Sequence, residues 1–130
     1  MEAKLLNGQN ANAKPASEDK LYNLSMVESV SGGNTDFIKK MILLFIDAVP
    51  KDVVMMRSAC AAKNWAQVSK TAHKLKSTID SMAIKTIQQD IRTIESNAKQ
   101  LVELDLIPAL VEKVENTINT CLVQLSTEIA

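Results

Sequence analysis

A stripe of apolar residues with alternating spacings of three and four is the clearest pattern in the chain. This is the 3.6-residue period of an α-helix with one buried side. Asn64 followed by Gln67 is a capping-box arrangement, which predicts that this helix begins at Asn64. The only histidine of the chain, His73, lies off the stripe, so we expect its imidazole to face water. The members of the stripe are Trp65, Val68, Ala72, Leu75, Ile79 and Met82.

Two helices are predicted before this one. Residues 20–30 fit a short helix ended by Ser31-Gly32-Gly33, because glycine readily adopts the left-handed conformation that terminates helices. Asn34 or Thr35 can cap a longer second helix, whose apolar face is wide enough to be contacted from more than one side. Pro50 cannot donate a backbone hydrogen bond, and we predict a kink in the helix there. The wide face consists of Phe37, Ile38, Met41, Ile42, Leu44, Phe45, Ala48 and Val49.

The apolar pattern changes phase after Met82. A second stripe begins early, so an unbroken helix would point its two apolar faces about 160° apart, and we predict a chain reversal at residues 81–83. Asp105 can cap a last helix, in which Pro108 is tolerated in the first turn and apolar positions continue to Ile129. The second stripe consists of Ile84, Ile87, Ile91, Ile94, Ala98 and Leu101.

These elements predict an all-α protein. Four amphipathic helices with short connections favour an up-down-up-down four-helix bundle, preceded by the short additional helix. Aromatic residues make up only 3% of the composition, which also favours helices over short strands. Residues 1–19 are polar and aperiodic, so we expect a disordered, flexible tail, with residues 20–130 forming the bundle domain. We assign Trp65 and the Met55–Met56 pair to the core, whereas Phe45, Ile46 and Val49 are either buried or an exposed rim for a partner.

Charge and cysteine content narrow the possible functions. Fifteen basic and fifteen acidic residues cancel, which disfavours binding to DNA or RNA. The longest apolar run, residues 41–46, is too short to span a membrane. Cys60 and Cys121 lack metal-ligand spacing, so no metal or cofactor is predicted, and we expect buried thiols in a reducing compartment. We therefore place the protein in the cytoplasm.

The surroundings of His73 suit a negatively charged group better than a metal or a catalytic triad. Lys70, Lys76, Ser77 and Asp80 lie three, four or seven positions away, on the same side of the helix. The stretch AHKLKSTIDSM resembles the signature of histidine-containing phosphotransfer (HPt) domains, in which a histidine is followed by an apolar residue two positions on and a lysine three positions on. That family usually has glycine where this chain has Ser77.

The resemblance implies a phosphoryl carrier. His73 would accept the phosphoryl group from a receiver-domain aspartate through Nε2 and pass it to another receiver. Lys76 can reach a phosphoryl group on the ring, and Ser77 could add a hydroxyl. Lys70, Lys74 and Asp80 are candidate docking residues, although Lys70 and Lys74 fit a solvated surface equally well.

The same resemblance defines the partners. They would be the receiver domains of a hybrid sensor histidine kinase and of a response regulator, with Mg²⁺ bound by the receiver rather than by this chain. We expect no kinase activity of the chain itself, because the sequence has no Gly-rich phosphate loop. We also expect a monomer without nucleic-acid or membrane partners.

Two other functional classes are also compatible with the sequence. One is a helical bundle that binds a receiver or scaffold without carrying phosphate, for which Ser77 in place of glycine is the best argument. The other is the dimerisation helix pair of a sensor kinase, whose histidine is usually followed by an acidic residue, whereas Lys74 follows here. A stand-alone enzyme is disfavoured, because no acid, base or nucleophile accompanies His73.

Overall fold

The computed structural model describes residues 20–129, and every regular element in this part of the chain is helical. The α-helices are α1 (Ser25–Ser31), α2 (Thr35–Ala61), α3 (Trp65–Ser81), α4 (Gln88–Gln100) and α5 (Ile107–Glu128). Short 3₁₀ turns, Lys85–Ile87 and Leu104–Leu106, precede α4 and α5. The all-α prediction is confirmed. The predicted tail at residues 1–19 lies outside the described residues.

The four long helices pack in a closed ring around one core. Helix α2 packs on α3, α3 on α4, α4 on α5 and α5 back on α2, while α1 packs on α2. Short connections make consecutive helices antiparallel neighbours, which is the predicted four-helix bundle. The core is almost entirely aliphatic, and its fully buried side chains include Met56, Leu75, Ile79, Ile91, Ile94, Ile118 and Leu125.

The chain before α1 is not helical, so the prediction of a helix from residue 20 is wrong at its start. Tyr22 is buried, and its hydroxyl donates a hydrogen bond to Glu128 Oε2 at 2.7 Å. The backbone N–H of Asn23 donates to the carbonyl oxygen of Met82 at 2.8 Å. These contacts with the end of the bundle satisfy backbone and side-chain groups that a single helical turn would satisfy less completely. The left-handed Gly32 ends α1, within the predicted stop Ser31-Gly32-Gly33.

Helix α2 runs without a break through Pro50. The side-chain oxygen of Asn34 caps it by accepting a hydrogen bond from the N–H of Phe37 at 3.0 Å. Contacts with α1, α3 and α5 confirm that α2 is packed from several sides. Its predicted face is nevertheless only partly covered: Phe45 and Val49 are buried, whereas Phe37, Met41 and Leu44 are exposed. The assignment of the methionine pair to the core is confirmed for Met56, which is buried, and wrong for Met55, which is exposed.

The start of α3 is as predicted, but only half of the capping box forms. The side chain of Asn64 accepts a hydrogen bond from the N–H of Gln67 at 3.2 Å. The N–H of Asn64 already donates to the carbonyl oxygen of Ala59, so the Gln67 amide has no donor to return to. It donates instead to Thr71 Oγ1 at 2.9 Å.

Two sequence predictions near the α4–α5 connection are wrong. Asp105 does not cap the last helix, because a 3₁₀ turn that includes Asp105 delays the start of α5 to Ile107. Leu101 is 63% exposed instead of buried, because it ends α4 in the left-handed conformation and points away from the stripe.

The predicted reversal between the two apolar stripes is confirmed. Helix α3 ends at Ser81, and Ala83 has a φ of 51°, in the left-handed region. Met82 and Ile84 are both buried, so core packing on either side holds Ala83 in this conformation. A residue with a β-carbon is disfavoured there by about 1 kcal/mol relative to glycine.

This strain predicts the effect of Ala83→Gly. We expect the free energy of unfolding to rise by about 0.5–1 kcal/mol, because glycine adopts the left-handed conformation without a steric penalty. Urea denaturation followed by circular dichroism measures the change. As a control, Ala48→Gly in the exposed middle of α2 should lower the free energy of unfolding by about 1 kcal/mol. Destabilisation by Ala83→Gly would contradict the strain argument.

Candidate functional site

His73 lies in the middle of α3 with its side chain 69% exposed, as predicted. Its ring is held from α4, where Glu95 Oε2 lies 2.6 Å from His73 Nδ1. A carboxylate accepts hydrogen bonds, so in the neutral ring this contact places the proton on Nδ1. Nε2 then keeps its lone pair. The contact therefore leaves Nε2 as the unprotonated nitrogen of an exposed imidazole.

Glu95 also joins Lys76 to the site. The ammonium of Lys76 donates to Glu95 Oε1 at 2.8 Å, so one carboxylate bridges the histidine and the lysine. The hydrogen bond from Lys76 is the main reason that the pKa of Glu95 is lowered, and the hydrogen bond with His73 acts in the same direction. Partial burial opposes both but does not reverse the shift. Glu95 is therefore an ionised acceptor at neutral pH.

Sequence reasoning did not identify Glu95 as a site residue. It is separated from His73 by 22 positions along the chain. Its location opposite the imidazole depends on the register between α3 and α4, which a helical period does not determine. A further contact from Ser69 Oγ to the carbonyl oxygen of Glu95, 3.2 Å long, fixes the same register. One signal in the sequence was that Glu95 directly follows Ile94, an apolar position of the second stripe.

Of the other candidate residues, three lie on the exposed face of α3 beside His73, and the fourth, Asp80, is paired with a residue of α4. Lys70, Lys74 and Ser77 lie on the exposed face of α3 with His73. Lys74 pairs with Asp52 of α2 at 3.2 Å, and the hydroxyl of Ser77 donates to the carbonyl oxygen of Lys74 at 3.3 Å. Asp80 is instead engaged by Arg92 of α4, with contacts of 2.5 and 3.1 Å from two guanidinium nitrogens.

A groove lies between α3 and α4 directly beside the imidazole. We call it the α3/α4 groove. Its volume is about 500 Å³, and its lining includes His73, Ala66, Ala98 and the lysines Lys70 and Lys99. Leu101 stands at its edge. This face therefore combines an exposed imidazole, several cations and an apolar depression.

The described residues offer no metal site and no membrane-spanning helix. Among residues 20–129, no group of histidine, cysteine and acidic side chains could hold a metal ion. Cys60 and Cys121 are buried free thiols, which confirms that part of the prediction, and burial raises the pKa of Cys121 to about 11. The part of the chain that the structure describes has no helix of the length and apolarity needed to cross a membrane.

Comparison with known families establishes the protein family of this chain. The family model of the Hpt domain matches residues 40–128, which include His73, Lys76 and Glu95. The chain belongs to the Hpt domain family. Hpt domains are phosphocarrier modules of phosphorelays rather than catalysts, and they interact with receiver domains. Neither the curated proteins nor the solved structures that were compared gave a match.

The lowered pKa of Glu95 predicts a pH-dependent contribution to stability. The contribution is fully present above the ordinary pKa of 4.5 and is lost as the pH falls through the lower pKa of the folded state. We expect Glu95→Gln to lower the free energy of unfolding by about 0.5–1 kcal/mol at neutral pH. The difference from the wild type should disappear at an acidic pH below the lowered pKa of Glu95, where the wild-type carboxyl is also protonated.

Urea denaturation at the two pH values measures this effect. Glu112→Gln is the matched control, because Glu112 is exposed on α5 and has no ion pair among residues 20–129. That variant should differ little from the wild type at either pH. A Glu95→Gln effect that persists undiminished in acid would show that the charge of Glu95 does not cause it.

Proposed function

We propose that His73 is the phosphoacceptor of this Hpt domain. Nε2 attacks the phosphorus of a receiver phosphoaspartate, so that an N–P bond forms, the P–O bond breaks and the aspartate carboxylate leaves. Reversal of the step on a second receiver completes the relay. The observation that carries the proposal is the contact between Glu95 and Nδ1, which leaves Nε2 as the unprotonated nitrogen of an exposed ring.

Glu95 supports the chemical step as well as the tautomer. Attack through Nε2 makes the imidazole ring more positive, and a carboxylate at 2.6 Å from Nδ1 stabilises that charge. Orientation adds to this effect, since phosphoryl transfer depends mostly on positioning and charge stabilisation. Glu95 is therefore a positioning residue that acts through His73.

Lys76 is the proposed partner of the phosphoryl oxygens. It lies three positions after His73, on a neighbouring part of the helix surface, and its ammonium is already near the ring through Glu95. A charge-assisted hydrogen bond from Lys76 would offset the negative charge of the phosphoryl group. Ser77 can add its hydroxyl, because its present hydrogen bond to the carbonyl oxygen of Lys74 is long, at 3.3 Å.

The proposed partners are the receiver domains of a hybrid sensor histidine kinase and of a response regulator. A stripe on α2 next to α3 supports docking of such a domain, because its apolar residues are solvent-exposed. The stripe reaches α3 where Gln67 donates to Met55 Sδ at 3.3 Å. It consists of Phe37, Met41, Leu44, Ala48 and Met55, whose spacings of three, four and seven keep them on one face.

The receiver supplies what this chain does not provide. In this proposal the Mg²⁺ ion and the remaining catalytic groups belong to the receiver, and the carrier has no kinase activity of its own. The carrier acts as a monomer in the cytoplasm, a compartment in which Cys60 and Cys121 remain free thiols.

His73→Gln tests the proposal directly. A phosphorylated receiver from the same cell should transfer acid-labile phosphate to the wild type and none to the variant. Glutamine at this exposed position should leave the fold intact, which circular dichroism and the unfolding midpoint check. Equal labelling of both proteins would exclude His73 as the acceptor. Receiver binding without any acid-labile label on the wild type would instead favour an interaction-only bundle.

Lys76→Gln tests the stabilisation of the phosphoryl group. We expect the transfer rate at saturating receiver to fall by about tenfold or more, because a charge-assisted hydrogen bond contributes about 1.5–3 kcal/mol. Stopped transfer reactions resolved by gel measure the rate. Lys85→Gln, an exposed lysine before α4, is the matched control and should transfer at the wild-type rate. An unchanged rate for Lys76→Gln would remove Lys76 from the mechanism.

A further inference from the structure

The α3/α4 groove carries charge that nothing within the described chain neutralises. Lys70 stands on its α3 side and Lys99 on its α4 side, and neither ammonium has an ion-pair partner among residues 20–129. The one carboxylate that lines the groove, Glu95, is already engaged by His73 and Lys76. The groove therefore presents two unneutralised cations around a largely apolar lining.

Leu101 is anomalous at the edge of this groove. It ends α4 with φ 59° and ψ 43°, a conformation that glycine adopts most readily. Its side chain is also 63% exposed. An exposed, large apolar side chain in a disfavoured backbone conformation beside a functional histidine indicates a role in binding.

We propose that the α3/α4 groove binds an acidic and partly apolar loop of the receiver that exchanges phosphate with His73. Leu101 is the apolar anchor, and Lys70 and Lys99 are the ionic contacts. The proposal rests on the proposed function of His73 as phosphoacceptor. It adds a specificity-determining surface on the α4 side of the histidine, opposite the exposed stripe of α2.

The choice of occupant follows from continuity and charge. His73 is one of the lining residues of the groove, so a domain that brings a phosphoaspartate to Nε2 also lies against the groove. An acidic loop is complementary to the free ammonium groups of Lys70 and Lys99. A symmetric contact between two copies of this chain through the groove would instead oppose the same lysines across the interface, which is unfavourable.

Leu101→Gly tests the anchor, because its two expected effects have opposite signs. The unfolding midpoint should rise, since glycine relieves the left-handed leucine. The receiver used is one that, when phosphorylated, labels His73 of the wild type. For the Leu101→Gly variant, the half-saturating concentration of this receiver should be about fivefold to tenfold higher than for the wild type, with the maximal rate unchanged. Ala83→Gly is the matched control: it relieves the same kind of strain at the far end of α3 and should leave the half-saturating concentration unchanged.

Phosphoramidate, a small phosphoryl donor, distinguishes a failure of the groove proposal from a failure of the proposal that His73 is the phosphoacceptor. This small donor can transfer its phosphoryl group to an exposed imidazole with release of ammonia, without any docking surface. Equal labelling of wild type and Leu101→Gly by phosphoramidate, together with a raised half-saturating concentration for the receiver, supports the groove. If neither phosphoramidate nor any receiver of the cell labels the wild type, both proposals fail. If both donors label the two proteins alike at every concentration, only the groove proposal fails.

The ionic contacts and the alternative occupant have their own readouts. Lys99→Gln should raise the half-saturating concentration and reduce its dependence on salt, whereas Lys85→Gln should change neither. Light scattering measures the mass of wild type and Leu101→Gly. A wild-type dimer that becomes a monomer in the variant, with receiver kinetics unchanged, would assign the groove to a second copy and overturn the proposal.

Discussion

The site depends on the carboxylate of Glu95, because this one group joins the two helices that form it. One carboxylate oxygen of Glu95 contacts Nδ1 of His73, and the other accepts a hydrogen bond from the ammonium of Lys76. His73 and Lys76 belong to α3, whereas Glu95 belongs to α4. The aliphatic side chains between α3 and α4 fix where Glu95 stands, since close-packed interiors resist sliding. The orientation of an exposed ring is thus set by the buried core beneath it. A carrier needs this rigidity, because its nucleophile must be presented in the same way to donor and acceptor.

The charges near His73 are arranged in pairs that leave a local excess of cations. Asp52 pairs with Lys74, Asp80 with Arg92 and Glu95 with Lys76, so the carboxylates of this region are neutralised. Lys70 and Lys99 stay unpaired within the described chain. The whole chain has no net charge, so its field does not extend far, and screening restricts the attraction to roughly 10 Å. At the proposed docking face, charge complementarity would therefore act on a domain already in contact and would favour the correct orientation over faster encounter.

The sequence predicted well those features that depend on neighbours along the chain. The stripe of α3, its start at Asn64 and the reversal at residues 81–83 follow from spacing and local capping, and the structure confirms them. The sequence predicted poorly those features that depend on contacts between distant segments. Tyr22 is tied to Glu128, 106 positions away, and the expected first helical turn is absent there, since α1 begins at Ser25. Glu95 was missed for the same reason, since no periodicity determines the register of one helix on another.

The Glu95 carboxylate that links His73 to Lys76 also explains how a rigid bundle could accommodate a phosphoryl group. In the unphosphorylated protein the charge of Lys76 is neutralised by Glu95, so its ammonium is held close to the ring without being released to solvent. A phosphoryl group on Nε2 would compete with Glu95 for that ammonium, and the flexible stem of lysine permits the change of partner without backbone movement. Glu95 would keep its hydrogen bond to Nδ1, where the phosphorylated ring is more positive. In the proposed mechanism the arrival of phosphate would alter one side-chain contact, and the surface proposed to bind receivers would stay the same.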